Sequence, residues 1–99
     1  MKKYKDKQGI VFEVMTWGEF IKYGIDNGAN IINGMPWSFK LDGFPVTHEN
    51  DSCYLIPTPH LFKIEESISN FTPNDVLLKY MGSYTPIDKD YFQEEFTEI

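Results

Sequence analysis

The dipeptide Asp42-Gly43 constrains the fold of this chain more than any other short feature. It separates two apolar-rich runs, WSFKL and FPVTH. Asp-Gly between such runs is among the strongest signals for a two-residue hairpin, because both central residues of a type I′ turn need positive φ. In the first run, Trp37, Phe39 and Leu41 alternate with polar residues, as in a half-buried strand. The sequence therefore predicts a β-hairpin centred on this turn.

The runs after the turn are less regular. FPVTH contains Pro45, which has no amide hydrogen for a ladder bond, so we expect this strand at a sheet edge or at a bulge. The polar residues HENDS then turn the chain again, and CYLIP is the expected third strand. Together the three runs predict a β-meander.

The N-terminal part predicts one strand followed by one helix. Residues Gly9–Met15, GIVFEVM, are rich in β-branched and aromatic types, which is typical of a strand. In the TWGE that follows, Thr16 and Glu19 have the spacing of a capping box, in which each side chain binds an amide at the helix start. The helix is expected to span about Trp17–Asn27, since Asn-Gly is typical of a helix end. Its apolar stripe at helical spacing comprises Phe20, Ile21 and Ile25.

The second half of the chain is harder to assign. HLFKI is compatible with a strand, whereas the rest of residues 58–70 has no clear period. In FTPNDVLLKY, a helix capped by Thr72 is one alternative, but VLLKY before Met81-Gly82 favours a hairpin arm, and we predict a strand. YTPI returns along it, and DKDYFQEEF closes as a short helical turn or an extended arm. Residues 1–99 are expected to form one α+β domain, a small antiparallel sheet packed by one N-terminal helix.

Charge argues against a nucleic-acid partner. The chain has 9 lysines and no arginine against 15 acidic residues, for a net charge of −6. Binding to nucleic acid depends on neutralising phosphates, and arginine is the usual reader of guanine edges. We therefore expect neither DNA nor RNA as a partner.

The location expected from the sequence is the cytoplasm. No apolar run approaches the ~20 residues of a membrane-spanning helix, so no membrane partner is expected. The start MKKYKDKQG lacks the apolar stretch of a secretory signal. The single cysteine, Cys53, excludes an internal disulfide and fits a reducing compartment.

The polar stretch that begins at His48 is the best candidate for chemistry, and it is a weak one. The residues His48-Glu49-Asn50-Asp51 lack the helical spacing of a zinc protease motif, and His60 is twelve positions from the first histidine. A polar turn, a ligand-contacting loop and a metal or catalytic site are the three alternatives. The chain has neither a nucleophile elbow nor a glycine-rich phosphate loop. We therefore expect no enzyme activity, no cofactor and no metal.

Three segments carry a family resemblance. The opening MKKYKDKQGIVFEVMTW resembles the start of a loose group of small phage-encoded proteins, in which a lysine-rich segment precedes an alternating strand that ends in tryptophan. PWSFKLDGFPVTHENDSCYLIPT and FTPNDVLLKYMGSYTPIDKDYF are similar to segments of the same group, although Asn74 stands where that group usually has glycine. The resemblance implies a phage or prophage origin, and small phage proteins of this kind often counteract host defences.

Aromatic residues supply the candidate binding face. Phe, Tyr and Trp make up 16% of the chain. Such rings either fill a small core or offer a surface on which a base stacks, worth about 1–3 kcal/mol. The first hypothesis is a homo-oligomeric protein that sequesters a small nucleotide immune signal. Its predicted ligand-binding residues are Trp37, Phe39, Phe44, His48, Asn50, Tyr54, Thr72 and Asn74.

The acidic end of the chain supports an alternative hypothesis. DKDYFQEEFTEI carries five acids against one lysine, and negative charge steers association with a basic groove. The chain would then be an acidic inhibitor that binds a host defence enzyme directly, of the anti-CRISPR or anti-restriction type. A third alternative is an accessory phage protein with no defence role.

Overall fold

The computed structural model describes residues 1–32, 35–49, 61–65, 67 and 70–99, apart from the side chain of Glu49. The described residues form strands and helices in the following order: β1 (Lys2–Lys5), β2 (Val11–Met15), α1 (Trp17–Asp26), β3 (Ile31–Ile32), β4 (Met35–Pro36), β5 (Ser38–Leu41), β6 (Phe44–Glu49), β7 (Leu61–Ile64), β8 (Asp75–Tyr80), β9 (Ser83–Asp88), α2 (Lys89–Glu95) and β10 (Thr97–Glu98). The predicted α+β class with an N-terminal helix is confirmed.

The larger sheet is antiparallel, with the strand order β10-β1-β2-β8-β9. The lysine-rich start forms β1, a strand that was not expected, and Tyr4 in it pairs with Phe12 on one side and Glu98 on the other. The predicted strand VLLKY is confirmed as part of β8. It continues into β9 through Met81-Gly82, whose φ angles of 50° and 81° are those of a type I′ turn.

The smaller sheet confirms the predicted hairpin, but its third strand comes from a different run than the predicted meander had. Its strand order is β5-β6-β7. Asp42 and Gly43 have φ angles of 50° and 86°, and Leu41 pairs with Phe44 across the turn. The third strand of this sheet is Leu61–Ile64, part of the HLFKI run. The predicted strand CYLIP lies outside the described residues.

The prediction that Pro45 marks an edge strand or a bulge is wrong. Its strand, β6, lies in the middle of the smaller sheet. The carbonyl of Pro45 accepts a hydrogen bond from the amide of Glu65, 3.0 Å away, at the position where β7 has just ended. The missing amide hydrogen of Pro45 therefore lies at the end of the β6–β7 ladder, where it interrupts no regular pairing.

The helix α1 begins as the capping box predicts. The amide of Glu19 donates to Thr16 Oγ1 at 3.3 Å, and the amide of Thr16 donates to Glu19 Oε1 at 3.1 Å. The helix ends at its C-cap, Asn27. Phe20 is fully buried, but Ile25, expected on the same stripe, is 39% exposed. The buried face of the helix therefore turns toward Gly24 instead, where another chain segment approaches closely.

Two cores lie on opposite faces of the larger sheet. On one face, α1 and the smaller sheet enclose a cluster of rings, Phe20, Phe39, Phe62 and Phe71, which also contains Met15 and Leu77 of the larger sheet. On the other face, the short helix α2 packs Phe92 against Val14, Val76 and Leu78. The closing segment was expected as a helical turn or an extended arm, and it is a helix capped by Asp88, whose Oδ1 accepts from the amide of Asp90 at 2.9 Å. At the C-terminal end of β2, Val14 and Met15 are thus buried on opposite faces of the sheet, because neighbouring residues of a strand point to opposite sides.

Candidate functional site

An open groove of about 530 Å³ lies where α1 and the tip of the β5–β6 hairpin meet the larger sheet. We name it the acidic groove, because four carboxylates and two lysines line it. Its walls also include the rings of Tyr23 and Tyr84 and the apolar side chains of Met15 and Leu41. The complete lining is Met1, Glu13, Met15, Glu19, Lys22, Tyr23, Asp26, Leu41, Asp42, Lys79 and Tyr84.

A three-residue network closes one end of the acidic groove. Lys79 Nζ lies 2.6 Å from Asp42 Oδ2, and the hydroxyl of Tyr84 donates to the same oxygen. Lys79 Nζ also lies 3.8 Å from Glu13 Oε2 and 5.6 Å from the centre of the Tyr84 ring. Aspartate suits this position for two reasons. Its backbone tolerates positive φ, and its carboxylate reaches the larger sheet. The network joins the two sheets through a hairpin tip.

The network also fixes the charges of its members. Hydrogen bonds from Lys79 and then from Tyr84 lower the pKa of Asp42. The hydrogen bond to Asp42 raises the pKa of Lys79. Burial, followed by the hydrogen bond to Asp42, raises the pKa of Tyr84 far above its ordinary value. Near neutral pH the network therefore holds one carboxylate, one ammonium group and one neutral phenol, and none of the three is poised to exchange protons as a general acid or base.

Replacing Asp42 with Asn is expected to remove a pH-dependent contribution to stability. Because folding lowers the pKa of Asp42, its contribution is fully present above the unfolded pKa of about 3.9 and is lost as the pH falls through the lower folded pKa. The difference in free energy of unfolding between the wild type and Asp42→Asn should be constant near neutral pH and vanish in acid. Urea unfolding over an acid pH series measures it. A difference that stays constant into strong acid would contradict the ion-pair account, and Asp26→Asn, at a more ordinary surface pair, is the control.

The other groove charges have local partners. Lys22 Nζ lies 2.6 Å from Asp26 Oδ2, one helical turn along α1. Glu19 binds the amide of Thr16 through Oε1. Each lysine of the lining is thus already bound to a carboxylate, and the groove keeps an excess of negative charge. A cationic group suits this lining better than an anion does.

No family model, curated protein or solved structure matches this chain. Within the described ranges, no set of three or more His, Cys, Asp or Glu side chains is placed to hold a metal ion. Neither described helix is long and apolar enough to cross a membrane. Only the geometry and charge of the acidic groove therefore indicate what it could bind.

Two of the predicted binding residues, Trp37 and His48, are in contact on the smaller sheet. Their ring centres are 4.2 Å apart, and the His48 ring lies 5.3 Å from that of Phe62. Trp37 is half-buried and donates from Nε1 to the carbonyl of Ile32 at 3.1 Å. His48 is only 3% exposed. The side chain of His48 therefore lies within the packing of the smaller sheet, behind the tryptophan.

Of the other predicted binding rings, one is buried in the core, one is half-buried, and one lies outside the described residues. Phe39 is 8% exposed and packs 5.3 Å from Phe20, so it belongs to the core. Phe44 is half-buried, with its ring centre 6.2 Å from that of Tyr84. Asn50 and Tyr54 lie outside the described residues.

Thr72 and Asn74 lie in the turn that begins β8. The amide and hydroxyl of Thr72 both donate to Asp75 Oδ2, at 3.0 and 2.9 Å. The amide of Asn74 donates to Thr72 Oγ1 at 3.3 Å. The hydroxyl of Thr72 is thus part of a local turn motif, whereas Asn74 is exposed. Neither residue lines the acidic groove.

The acidic end of the chain is partly neutralised by its lysine-rich start. Glu98 lies 3.8 Å from Lys2, and Glu95 lies 3.4 Å from Lys7. The first contact joins the paired strands β1 and β10, and the second joins the turn after β1 to the end of α2. The two oppositely charged ends of the sequence therefore form one mixed surface.

Proposed function

We propose that this chain is a binding protein whose acidic groove docks a cationic segment of a partner protein. The excess of carboxylates over ammonium groups in the groove is the observation that carries the proposal. The groove volume of about 530 Å³ also falls within the range of about 300–1,000 Å³ common to ligand sites. A host defence enzyme as that partner, and the host cytoplasm as the place, rest on the resemblance to small phage-encoded proteins.

The shape of the groove suits an arginine or lysine side chain in particular. The apolar side chains of Met15 and Leu41, which are largely buried, form the floor beneath the aliphatic stem. Glu19 and Asp26 each use one oxygen in a local contact, with the Thr16 amide and with Lys22, and their second oxygens, Oε2 and Oδ1, would accept from the charged head. The ring of Tyr23 adds a surface over which a guanidinium group can stack. The net charge of −6 would increase the rate at which a basic partner arrives.

Sequestration of a small nucleotide stays the second candidate. The half-buried Trp37 ring favours it, as a stacking surface for a base. The acidic groove itself is less suited to phosphate, since Lys79 is bound to Asp42 and Lys22 to Asp26. A nucleotide would therefore have to bind near the tryptophan rather than in the groove.

A titration with two defined probes separates these candidates. We expect an arginine-rich peptide to shift the amide resonances of Tyr23 and Lys79 and to bind about tenfold more weakly, or about 1.4 kcal/mol, to Asp26→Lys. Glu94→Lys is the matched control, because it makes the same charge change on α2, on the opposite face of the larger sheet. Linear and cyclic nucleotides are expected to leave the groove resonances unchanged.

Two results would overturn the proposal. The first is equal peptide affinity for Asp26→Lys and Glu94→Lys, which would mean that the groove is not the binding surface. The second is a nucleotide that binds to the groove and binds more tightly to Asp26→Lys, since added positive charge favours phosphate. A nucleotide that shifts Trp37 alone, with no peptide binding, would transfer the assignment to the second candidate.

A further inference from the structure

The turn Met81-Gly82 places an apolar side chain where a hairpin ordinarily has Asn or Asp. Met81 has a φ of 50°, which is disfavoured for a residue with a side chain, and it is 86% exposed. Asp42 has the same φ, but there the carboxylate binds Lys79 and Tyr84. Among the described residues, the exposed Met81 side chain has no such compensating contact. A backbone outlier of this kind points to a function.

An exposed apolar residue lies near this methionine. Val11 is 45% exposed, and together with Met81 it forms what we name the apolar tip, whereas the equally exposed Tyr80 turns its ring to the opposite face, 5.2 Å from the ring of Phe12. A shallow depression of about 320 Å³ lies at the tip, and Lys3 lines it. Lys5 is the cross-strand neighbour of Val11. Among the described ion pairs none involves Lys3 or Lys5, so the tip has a basic border.

The apolar tip and the acidic groove are two ends of one face. Glu13 and Lys79 line both the groove and the depression at the tip. On β2, Val11, Glu13 and Met15 follow one another along this face, since alternate residues of a strand point the same way. One end of the face is thus apolar with a basic border, and the other has an apolar floor with acidic walls.

We propose that this face is an interface between two copies of the chain, in which the apolar tip of each copy occupies the acidic groove of the other. A twofold axis that crosses the strands near Glu13 and Lys79 would superpose tip on groove in both directions, as an isologous dimer requires. Met81 and Val11 would pack against the half-buried Tyr23 ring over the largely buried floor of Met15 and Leu41, while the lysines beside the tip would meet the carboxylates of the groove. The complementarity of these two ends is the argument for a second copy as the occupant.

The dimer interface goes beyond the proposed function, and it uses the same acidic groove. A cationic partner segment and a second copy would occupy the same groove, so they exclude each other. Self-association is measured on the chain alone, and the peptide titration is measured on a chain diluted to its monomer. A chain that binds the peptide but does not dimerise would overturn only the dimer interface. A chain that dimerises but does not bind the peptide as a monomer would overturn only the proposed function.

Sedimentation velocity of the full chain over a wide concentration range is the first experiment. We expect a monomer–dimer equilibrium that shifts toward monomer at high salt, because the contacts between copies are partly ionic. Met81→Asn should weaken dimerisation about tenfold or more by removing the apolar anchor. It should not lower the thermal unfolding temperature, because Asn-Gly suits a type I′ turn. A wild type that is monomeric up to millimolar concentration, or a Met81→Asn variant that dimerises like the wild type, would overturn the inference.

A charge exchange is the second experiment. Lys3→Glu and Asp26→Lys should each weaken dimerisation, because each places like charges at the interface. The double variant should recover much of the lost affinity, since the two charges are then exchanged. Glu94→Lys on the opposite face should leave dimerisation unchanged. Equal effects of Asp26→Lys and Glu94→Lys, or a double variant weaker than both single ones, would contradict the proposed arrangement.

Discussion

Replacing Phe20 with alanine is expected to lower the free energy of unfolding by about 3–5 kcal/mol, the range for a large core ring. The Phe20 side chain is 0% exposed. Its ring centre lies 4.9 Å from those of both Phe62 and Phe71, in edge-on contacts. Edge-on ring pairs contribute about 0.5–1.5 kcal/mol beyond the area that they bury. The substitution therefore removes ring contacts and also leaves a cavity between α1 and the smaller sheet.

Equilibrium unfolding in urea, followed by tryptophan fluorescence, measures this loss. Trp17 is a suitable probe, since its ring centre is 5.2 Å from that of Phe62. Ile25→Ala on the same helix is the matched control, because Ile25 is 39% exposed and should cost much less. Phe20→Leu keeps the measurement possible if the alanine variant does not fold. Equal losses for Phe20→Ala and Ile25→Ala would show that α1 does not pack as described.

Replacing Gly24 with alanine is expected to destabilise the protein by about 1–3 kcal/mol, although alanine is the better helix former. A Cβ atom at Gly24 would lie 2.9 Å from Phe39 Cε1 and 2.9 Å from two carbons of Pro36. Pro36 is fully buried and its ring cannot rotate away. Overpacking in the core should therefore exceed the gain of about 1 kcal/mol in helix propensity.

Gly18→Ala is the matched control for this prediction. Gly18 lies in the same helix, and a Cβ atom there would meet nothing within 4 Å. The control should be neutral or gain up to about 1 kcal/mol, since alanine reduces the conformational freedom of the unfolded chain. If the close approach at Gly24 is real, thermal and urea unfolding should show a lower stability than wild type for Gly24→Ala and an equal or higher stability for Gly18→Ala. A Gly24→Ala variant as stable as Gly18→Ala would contradict the described packing of α1 against β4 and β5.

Elements with strong local chemistry could be predicted from the sequence. The capping box of Thr16 and Glu19 starts α1, and Asp42-Gly43 forms the hairpin turn, because each depends on residues within a few positions. The strand β1 could not be predicted, since KKYK has no apolar alternation of its own. It forms because β2 and β10 offer it partners on both sides. The position of Pro45 in a middle strand likewise depended on where β7 ends.

In the candidate site too, contacts within the predicted hairpin could be predicted from the sequence, whereas contacts between distant residues could not. Trp37 and His48 are both predicted binding residues, and they do meet, because Trp37 directly precedes β5 and His48 lies on the neighbouring strand β6 of the predicted hairpin. The acidic groove could not be predicted, because its key contacts join Asp42 to Lys79 and Tyr84, 37 and 42 positions apart. The only local signal for that site was the aspartate in the turn, which has a sufficient explanation in its positive φ.

The sequence alone determined the α+β class, the boundaries of α1 and the type I′ turn at Asp42-Gly43, since short-range capping, alternation and turn chemistry specify these features. Tertiary structure decided which charges meet and which apolar residues stay exposed. The pairing of β2 with β8 brings Glu13 beside Lys79, and the packing of the two sheets brings Asp42 to Lys79 and Tyr84. Such contacts depend on strand order and register, which long-range burial selects and no short stretch of residues encodes.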